Sequence, residues 1–143
     1  MIKNPQQTIF YSIEKTIKEY RKFALKKVQK KFGDLTIDQA LLIQFLNKNP
    51  SLSQKEIAKL IFKDNASVTR MIELMVKKKY LKRSVDENDR RKYNIELTDG
   101  TQKKLNELSE IISSNREIAL KGITNIEIEN LESTLLKIIK NCK

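Results

Sequence analysis

The segment from Asp86 to Gly100, DENDRRKYNIELTDG, constrains the fold of this chain more than any other. An acidic turn that contains an asparagine leads into paired arginines, and the alternating residues at 93–97 predict a β-strand. Leu81 to Val85 predicts the strand before the turn, and Thr98 predicts the start of a helix after it. The segment is therefore interpreted as a β-hairpin with a charged tip, followed directly by a helix.

About a dozen residues before the hairpin, the segment from Asn65 to Arg70, NASVTR, predicts a small polar helix start. A helix of this kind can enter the major groove of a duplex, and a hairpin with arginines at its tip can grip the duplex beside it. The pair of features indicates a winged helix-turn-helix that binds double-stranded DNA.

The composition fits one mainly α-helical domain with a small β-hairpin. The chain has 143 residues, of which 39% are hydrophobic and 33% charged, and the low counts of three Gly and two Pro argue against a β-sandwich. No apolar run is long enough to span a bilayer, and the N-terminus lacks the apolar core of a signal peptide. With a single cysteine and hence no internal disulfide, we expect a cytoplasmic protein without a membrane partner.

The charge and the missing residue types limit the classes of function. A formal charge of +11 attracts polyanions such as nucleic acid. The chain has no histidine, which removes the commonest general base and the usual zinc ligand. Its glycines, at 33, 100 and 122, form no phosphate-binding loop. We therefore expect neither an enzyme nor a protein with a bound metal or cofactor.

Periodic apolar residues and capping signals predict the remaining elements. A helix over residues 5–31 is expected to end at Gly33, and Ser51-Leu52 is a candidate for a minimal strand. The helix that carries NASVTR is expected to be capped by Asn65 or Ser67. Three further helix starts have the residues of a capping box, namely Thr36 with Gln39, Ser53 with Glu56, and Thr124 with Glu127.

The helices at the two ends of the sequence are long and amphipathic. The helix that begins at Asp99 and runs to about Leu120 would measure about 30 Å at a rise of 1.5 Å per residue. Such helices cannot bury their apolar stripes on a small winged domain alone. Pairing with the same helices of a second copy would bury them, so we expect a two-fold homodimer.

These motifs together resemble those of the MarR family of bacterial and archaeal transcription regulators. The resemblance rests on Leu35-Thr36-x-x-Gln39, Ser53-x-x-Glu56-Ile57-Ala58, Ser67-Val68-Thr69-Arg70-Met71-Ile72, Asp86-x-x-Asp89-Arg90-Arg91 and Leu97-Thr98-x-Gly100. It implies a single MarR-like chain over 1–143, with a winged helix-turn-helix region at 36–98 flanked by dimerisation helices at 5–32 and 99–143.

Two positions depart from the family pattern. Lys79 stands where the family usually has glycine after the recognition helix. Lysine can adopt the left-handed conformation of such a glycine at some energetic cost, so the position of Lys79 leaves the end of this helix open. Asn88 stands where many members carry arginine, which removes one expected contact between the hairpin, or wing, and DNA.

The resemblance assigns candidate DNA contacts to the recognition helix and the wing. In the helix, small or donor-bearing residues allow a close approach to base edges, and Arg70 can donate two hydrogen bonds to a guanine. In the wing, Arg91 matches the arginine that enters the minor groove, and Asp89 is expected to hold an arginine by a charge-assisted pair. The candidates are Ala66, Ser67, Thr69 and Arg70 in the helix, Asp89, Arg90 and Arg91 in the wing, and Lys55, Lys82, Arg83 and Lys92 as possible phosphate contacts.

The resemblance also implies a small-molecule effector, phenolic or otherwise amphipathic, bound where the dimer helices meet the winged domain. Tyr11, Tyr20 and Phe45 are possible lining residues, although each is also suited to packing in the core. Cys142 is next to last and is interpreted as a terminal thiol without a role.

The sequence thus predicts a homodimeric, sequence-specific regulator, most simply a repressor that binds a pseudo-palindromic operator. Two alternatives stay open: a non-specific or architectural DNA-binding protein, and a protein-interaction module that keeps the fold.

Overall fold

A computed structural model of the protein describes residues 3–89, 91 and 93–143. The predicted fold class is confirmed, because the structure is mainly helical and contains one two-stranded antiparallel sheet. After a short 3-10 turn, the elements are α1 (Ile9–Gln29), α2 (Ile37–Lys48), α3 (Gln54–Leu60), α4 (Asn65–Lys77), β1 (Leu81–Val85), β2 (Tyr93–Leu97), α5 (Asp99–Ala119) and α6 (Asn125–Asn141). The minimal strand predicted at Ser51-Leu52 was wrong, because this segment forms a turn between α2 and α3.

Local side-chain caps explain where the helices begin. Thr36 and Thr124 form complete capping boxes with the glutamine or glutamate three residues later. At Ser53 the structure records only the bond that the Ser53 hydroxyl accepts from the Glu56 N–H. The predicted cap of α4 was wrong: Asp64 is the N-cap, because its extended backbone lets its carboxylate accept the Ser67 N–H.

Two helices end in residues with left-handed backbones that are not glycine. At the end of α3, Phe62 has a φ of 60°, its N–H donates to the Lys59 carbonyl, and the next N–H donates to the Ala58 carbonyl. Lys79 repeats this arrangement after α4 with a φ of 66°. Gly33 does not have this role, because α1 already ends at Gln29 and Gly33 lies in the turn that follows.

The core lies between the winged region and the adjoining ends of α1 and α5. Val28 from α1 and Leu108 from α5 are buried in it. Burial of these apolar side chains is the main force that fixes the orientation of α4 relative to the hairpin. The largest fully buried apolar side chains are Leu35, Leu42, Ile43, Ile57, Ile72, Met75 and Leu81.

The peripheral helices are much less buried. α1 and α5 run antiparallel, since Lys31 pairs with Glu107 at 3.6 Å while Phe23 lies near Ile118. No side chain of α6 is buried, and large apolar side chains such as Leu131 and Ile126 are exposed on it. None of the helices within the described ranges is long and apolar enough to cross a membrane.

Candidate nucleic-acid interface

The start of α4 is fixed by an acidic cap. Asp64 accepts the backbone N–H of Ser67 at 2.7 Å and the hydroxyl of Ser67 at 3.0 Å. These bonds, with the backbone bond the largest contribution, lower the pKa of Asp64. The carboxylate therefore stays ionised at neutral pH and holds the first turn of the helix in one conformation.

The predicted recognition residues lie on or beside the exposed side of α4. Ala66 and Arg70 are exposed, and the Arg70 guanidinium donates to the Ser67 hydroxyl at 3.3 Å. The opposite side of the helix is buried through Val68 and Ile72. A helix with one buried and one exposed side can present its donors to a groove without losing its packing.

Thr69 is held by a neighbouring helix. Its hydroxyl accepts a hydrogen bond from the Gln54 side-chain amide at 2.5 Å and donates to the Asn65 carbonyl at 2.9 Å. Because a hydroxyl has a single proton, Thr69 has no donor left for a base. Its role is to tie α4 to the start of α3, and Gln54 is a residue that the sequence reasoning missed.

The wing is an antiparallel hairpin in which Leu81 pairs with Leu97 and Val85 with Tyr93. At its tip, the Asp86 carboxylate accepts the Asn88 N–H, and the Asp89 carboxylate accepts the Arg91 N–H at 3.0 Å. Asp89 thus orders Arg91 through the backbone, which differs from the expected pairing of two charged side chains. Arg91 is exposed, while Arg90 and Lys92 lie outside the described residues.

The base of the wing is stabilised by a hydrogen-bonded cluster around the strained turn at Lys79. The Thr98 hydroxyl donates to the Lys79 carbonyl at 2.7 Å, and the Thr101 hydroxyl donates to the Tyr80 carbonyl at 2.8 Å. The Tyr80 hydroxyl donates to Asp34 at 2.7 Å. Burial, followed by this bond to Asp34, raises the pKa of Tyr80 to about 12.

The possible phosphate contacts differ in their surroundings. Lys55 and Arg83 are exposed. Lys82 faces Glu96 on the opposite strand, with 3.7 Å between the Nζ and carboxylate oxygen. A phosphate would therefore compete with Glu96 for Lys82.

One carboxylate joins three elements. Asp38, in the first turn of α2, pairs with Arg21 of α1 and, at 3.3 Å, with Lys63 in the turn before α4. Its side chain is only 20% exposed, so these pairs are less screened than those at the surface. This contact connects the N-terminal helix to the turn that precedes α4, and the sequence reasoning missed it as well.

The region implied for an effector is closed in the single chain. The cavity between α2 and α5, lined by residues such as Phe32, Tyr80 and Leu105, measures only about 10 Å³. That volume is near the minimum for one water molecule. A larger open groove of about 600 Å³ lies between α1 and α5, and Tyr20 lines it, whereas Phe45 packs against the core. Across the described ranges, no cluster of His, Cys, Asp and Glu could hold a metal ion.

Solved structures with the same architecture cover almost the whole chain. A protein of unknown function from Listeria innocua is 27% identical, with a TM-score of 0.69, and covers 93% of this chain and 91% of its own. S. aureus MepR in its complex with DNA is 22% identical, with a TM-score of 0.83, and the match covers 98% of this chain and 100% of the MepR chain. Bordetella bronchiseptica BpsR, whose DNA binding is regulated by 6-hydroxynicotinic acid, is 19% identical, with a TM-score of 0.83, and covers 96% and 97%.

The fold and the α3–α4–wing arrangement are those of a winged helix-turn-helix protein. Residues 33–92 match the model of the MarR family. By this match and by its fold, the chain is similar to MarR-family regulators.

Proposed function

We propose that this protein is a homodimeric, sequence-specific regulator that binds double-stranded DNA and acts as a repressor at a pseudo-palindromic operator. The observation that carries the proposal is the exposed side of α4, where Ala66 and Arg70 face away from the core beside a helix start fixed by Asp64. Arg70 supplies donors for base edges, and Arg91 on the wing supplies a cation for the minor groove.

Dimerisation is supported by the apolar residues that the single chain leaves in solvent. Ile9 and Phe10 at the start of α1 are 60% and 58% exposed, and α6 has no buried residue. Exposed apolar surface of this extent marks an interface. We assign residues 5–32 and 99–143 to dimerisation and residues 36–98 to DNA binding. Two copies of α4 related by a two-fold axis would then read half-sites about 10 bp apart.

Modulation by a small phenolic or amphipathic molecule is part of the proposal. The 10 Å³ cavity between α2 and α5 has no room for such a molecule, so binding there requires α5 to move relative to α2. A ligand that favours the open arrangement would shift the spacing of the two α4 helices. This spacing decides whether both helices fit one face of the duplex.

The decisive experiment is selection of bound sequences from random duplex DNA, combined with sedimentation of the free protein. We expect a two-fold symmetric motif, a dimeric mass, and an affinity that falls steeply with salt through counterion release. Footprinting on the DNA upstream of the coding sequence separates regulation from architectural binding. One short protected site supports the regulator, whereas uniform coverage supports an architectural protein. A folded dimer that binds no duplex supports a protein-interaction module.

A further inference from the structure

Phe62 combines two unfavourable features. Its side chain is 93% exposed, and its φ is 60°, a conformation that bulky residues rarely adopt. The hydrogen bonds at Lys59 and Ala58 that end α3 involve only backbone atoms of the turn, so they need no aromatic ring at position 62. A glycine would make the same bonds with less strain.

The position of Phe62 connects it to the candidate DNA interface. It lies two residues before Asp64, the N-cap of α4, and four residues before the exposed Ala66. If the start of α4 enters the major groove, a residue that precedes α4 is placed at the edge of that groove and not on the side of the helix that reads base edges. A side chain placed there would meet the wall of the groove, which is formed by the sugar-phosphate backbone.

The residues around Phe62 match the chemistry of that backbone. Lys59, three positions before Phe62, is exposed. Lys63, the next residue after Phe62, is also exposed, and its Nζ lies 3.3 Å from a carboxylate oxygen of Asp38. The nearest carboxylate in sequence, Asp64, is engaged by Ser67. Leu60 adds a second partly exposed apolar side chain, at 39%. An apolar residue flanked in sequence by two lysines is complementary to a strand that alternates apolar deoxyribose with anionic phosphate.

We propose that Phe62 is an additional DNA-contacting residue, whose ring packs against deoxyribose at the edge of the operator half-site. This inference rests on the proposed function, because it requires that α4 enter the groove. It adds an apolar contact to an interface whose other candidate residues are mostly polar or charged. The contact supplies a reason for the exposed ring and for the strained backbone that carries it.

The test compares Phe62→Gly with Phe62→Tyr in the full-length protein, using the duplex that the wild type selects. Phe62→Gly removes the ring and relieves the strain, so we expect the melting temperature to rise by about 3 °C. We expect its affinity for DNA to fall about tenfold, since the apolar contact is lost. Phe62→Tyr keeps the ring and the strain, and it should retain wild-type affinity.

The salt dependence distinguishes an apolar contact from a phosphate contact. Phe62→Gly should weaken binding equally at all salt concentrations and leave the selected sequence motif unchanged. Lys59→Gln should instead reduce the salt slope by about one, because it removes a phosphate contact.

Three results would overturn the inference: equal affinity of Phe62→Gly and the wild type, a changed base at one position of the motif, or a change of oligomeric mass in Phe62→Gly. The first would mean that the ring contacts no DNA, the second that it reads a base, and the third that it contacts a second copy. If the wild type selects no duplex at all, the proposed function fails together with this inference. If the wild type selects a motif and Phe62→Gly binds it equally well, only this inference fails.

Discussion

The side-chain amide of Gln54 donates a hydrogen bond to the hydroxyl of Thr69 at 2.5 Å, which joins the first residue of α3 to the centre of α4. The two residues are 15 positions apart in the sequence. Because the same hydroxyl donates to the Asn65 carbonyl, Thr69 is fixed by two partners. This pair restrains the start of α4 against α3, and with it the backbone that carries Ser67 and Arg70.

Replacing Gln54 should test that relationship. We expect Gln54→Ala to weaken binding to the selected duplex by roughly 1 kcal/mol, because Thr69 and the adjoining turn lose a restraint. Gln54→Glu should weaken it further, since a carboxylate cannot donate to Thr69 and also repels phosphate. Fluorescence anisotropy with wild-type and variant proteins measures both effects. Wild-type affinity in both variants would show that the bond does not position α4.

Arg91 provides a test of the wing. We expect Arg91→Ala to weaken DNA binding by roughly 1–3 kcal/mol while the fold and the dimer stay intact. Lys26→Ala is the matched control, because it removes one positive charge from an exposed position of α1. Equal losses in the two variants would mean that only net charge matters, and that the wing makes no specific contact.

Lys79 provides a test of backbone strain. Because its φ is 66°, we expect Lys79→Gly to raise the free energy of unfolding by about 1 kcal/mol. Lys77→Gly is the control, since Lys77 lies within α4, where glycine should lower stability by about 1 kcal/mol. Urea denaturation of the three proteins measures both. A loss of stability in Lys79→Gly would show that the lysine side chain makes a stabilising contact that outweighs the strain.

The pair of Tyr80 and Asp34 predicts a stability difference that depends on pH. At neutral pH, Tyr80→Phe should lower the free energy of unfolding by up to about 1 kcal/mol, since Asp34 is half exposed and the lost bond is partly replaced by water. Folding raises the pKa of Tyr80 to about 12. The difference in the free energy of unfolding between the wild type and Tyr80→Phe should therefore have its full size below pH 10 and disappear as the pH rises through 12.

The acid side of the same comparison follows from Asp34. The bond from Tyr80 is the largest cause that lowers the pKa of Asp34, ahead of the charge of Lys78. The difference between wild type and Tyr80→Phe should therefore be complete above the ordinary pKa of an aspartate, about 4, and decline as the pH falls through the lowered value. Denaturation midpoints of the two proteins across the pH range measure this stability difference. A difference that stays constant from pH 2 to 12 would exclude a stabilising hydrogen bond between Tyr80 and Asp34.

Asn115 provides a test of buried polarity in α5. Its side chain is 2% exposed, and its buried Nδ2 has no hydrogen-bond partner among the described residues. A buried donor without an acceptor is costly, so Asn115→Leu should raise the free energy of unfolding by about 1 kcal/mol. Asn115→Asp, which buries a charge at the same place, should be strongly destabilised. A destabilised leucine variant would reveal a partner for the amide in the assembled dimer.

The helix starts show how much could be predicted locally. The capping boxes at Thr36 and Thr124 were predicted and confirmed, because each depends on residues three positions apart. The cap of α4 was predicted one or three residues late, since Asp64, Asn65 and Ser67 all have side chains that can cap. Only the backbone conformation at Asp64 distinguishes them. The sequence marked Lys79 as a position where a left-handed conformation is open to lysine, whereas Phe62 has the same conformation without any such signal.

The order of the helices and the hairpin follows from the sequence alone, as do the positions of Arg70 on α4 and of Arg91 at the tip of the wing. These properties follow from periodicity, caps and turn residues within short windows of the chain. The contacts between distant residues depend on how the helices pack. They are the hydrogen bonds of Gln54 with Thr69 and of Asp34 with Tyr80, and the salt bridges of Asp38 with Arg21 and Lys63. Those pairs are separated by 15 to 46 positions and meet only when the apolar core orients the helices, so no local pattern contains them.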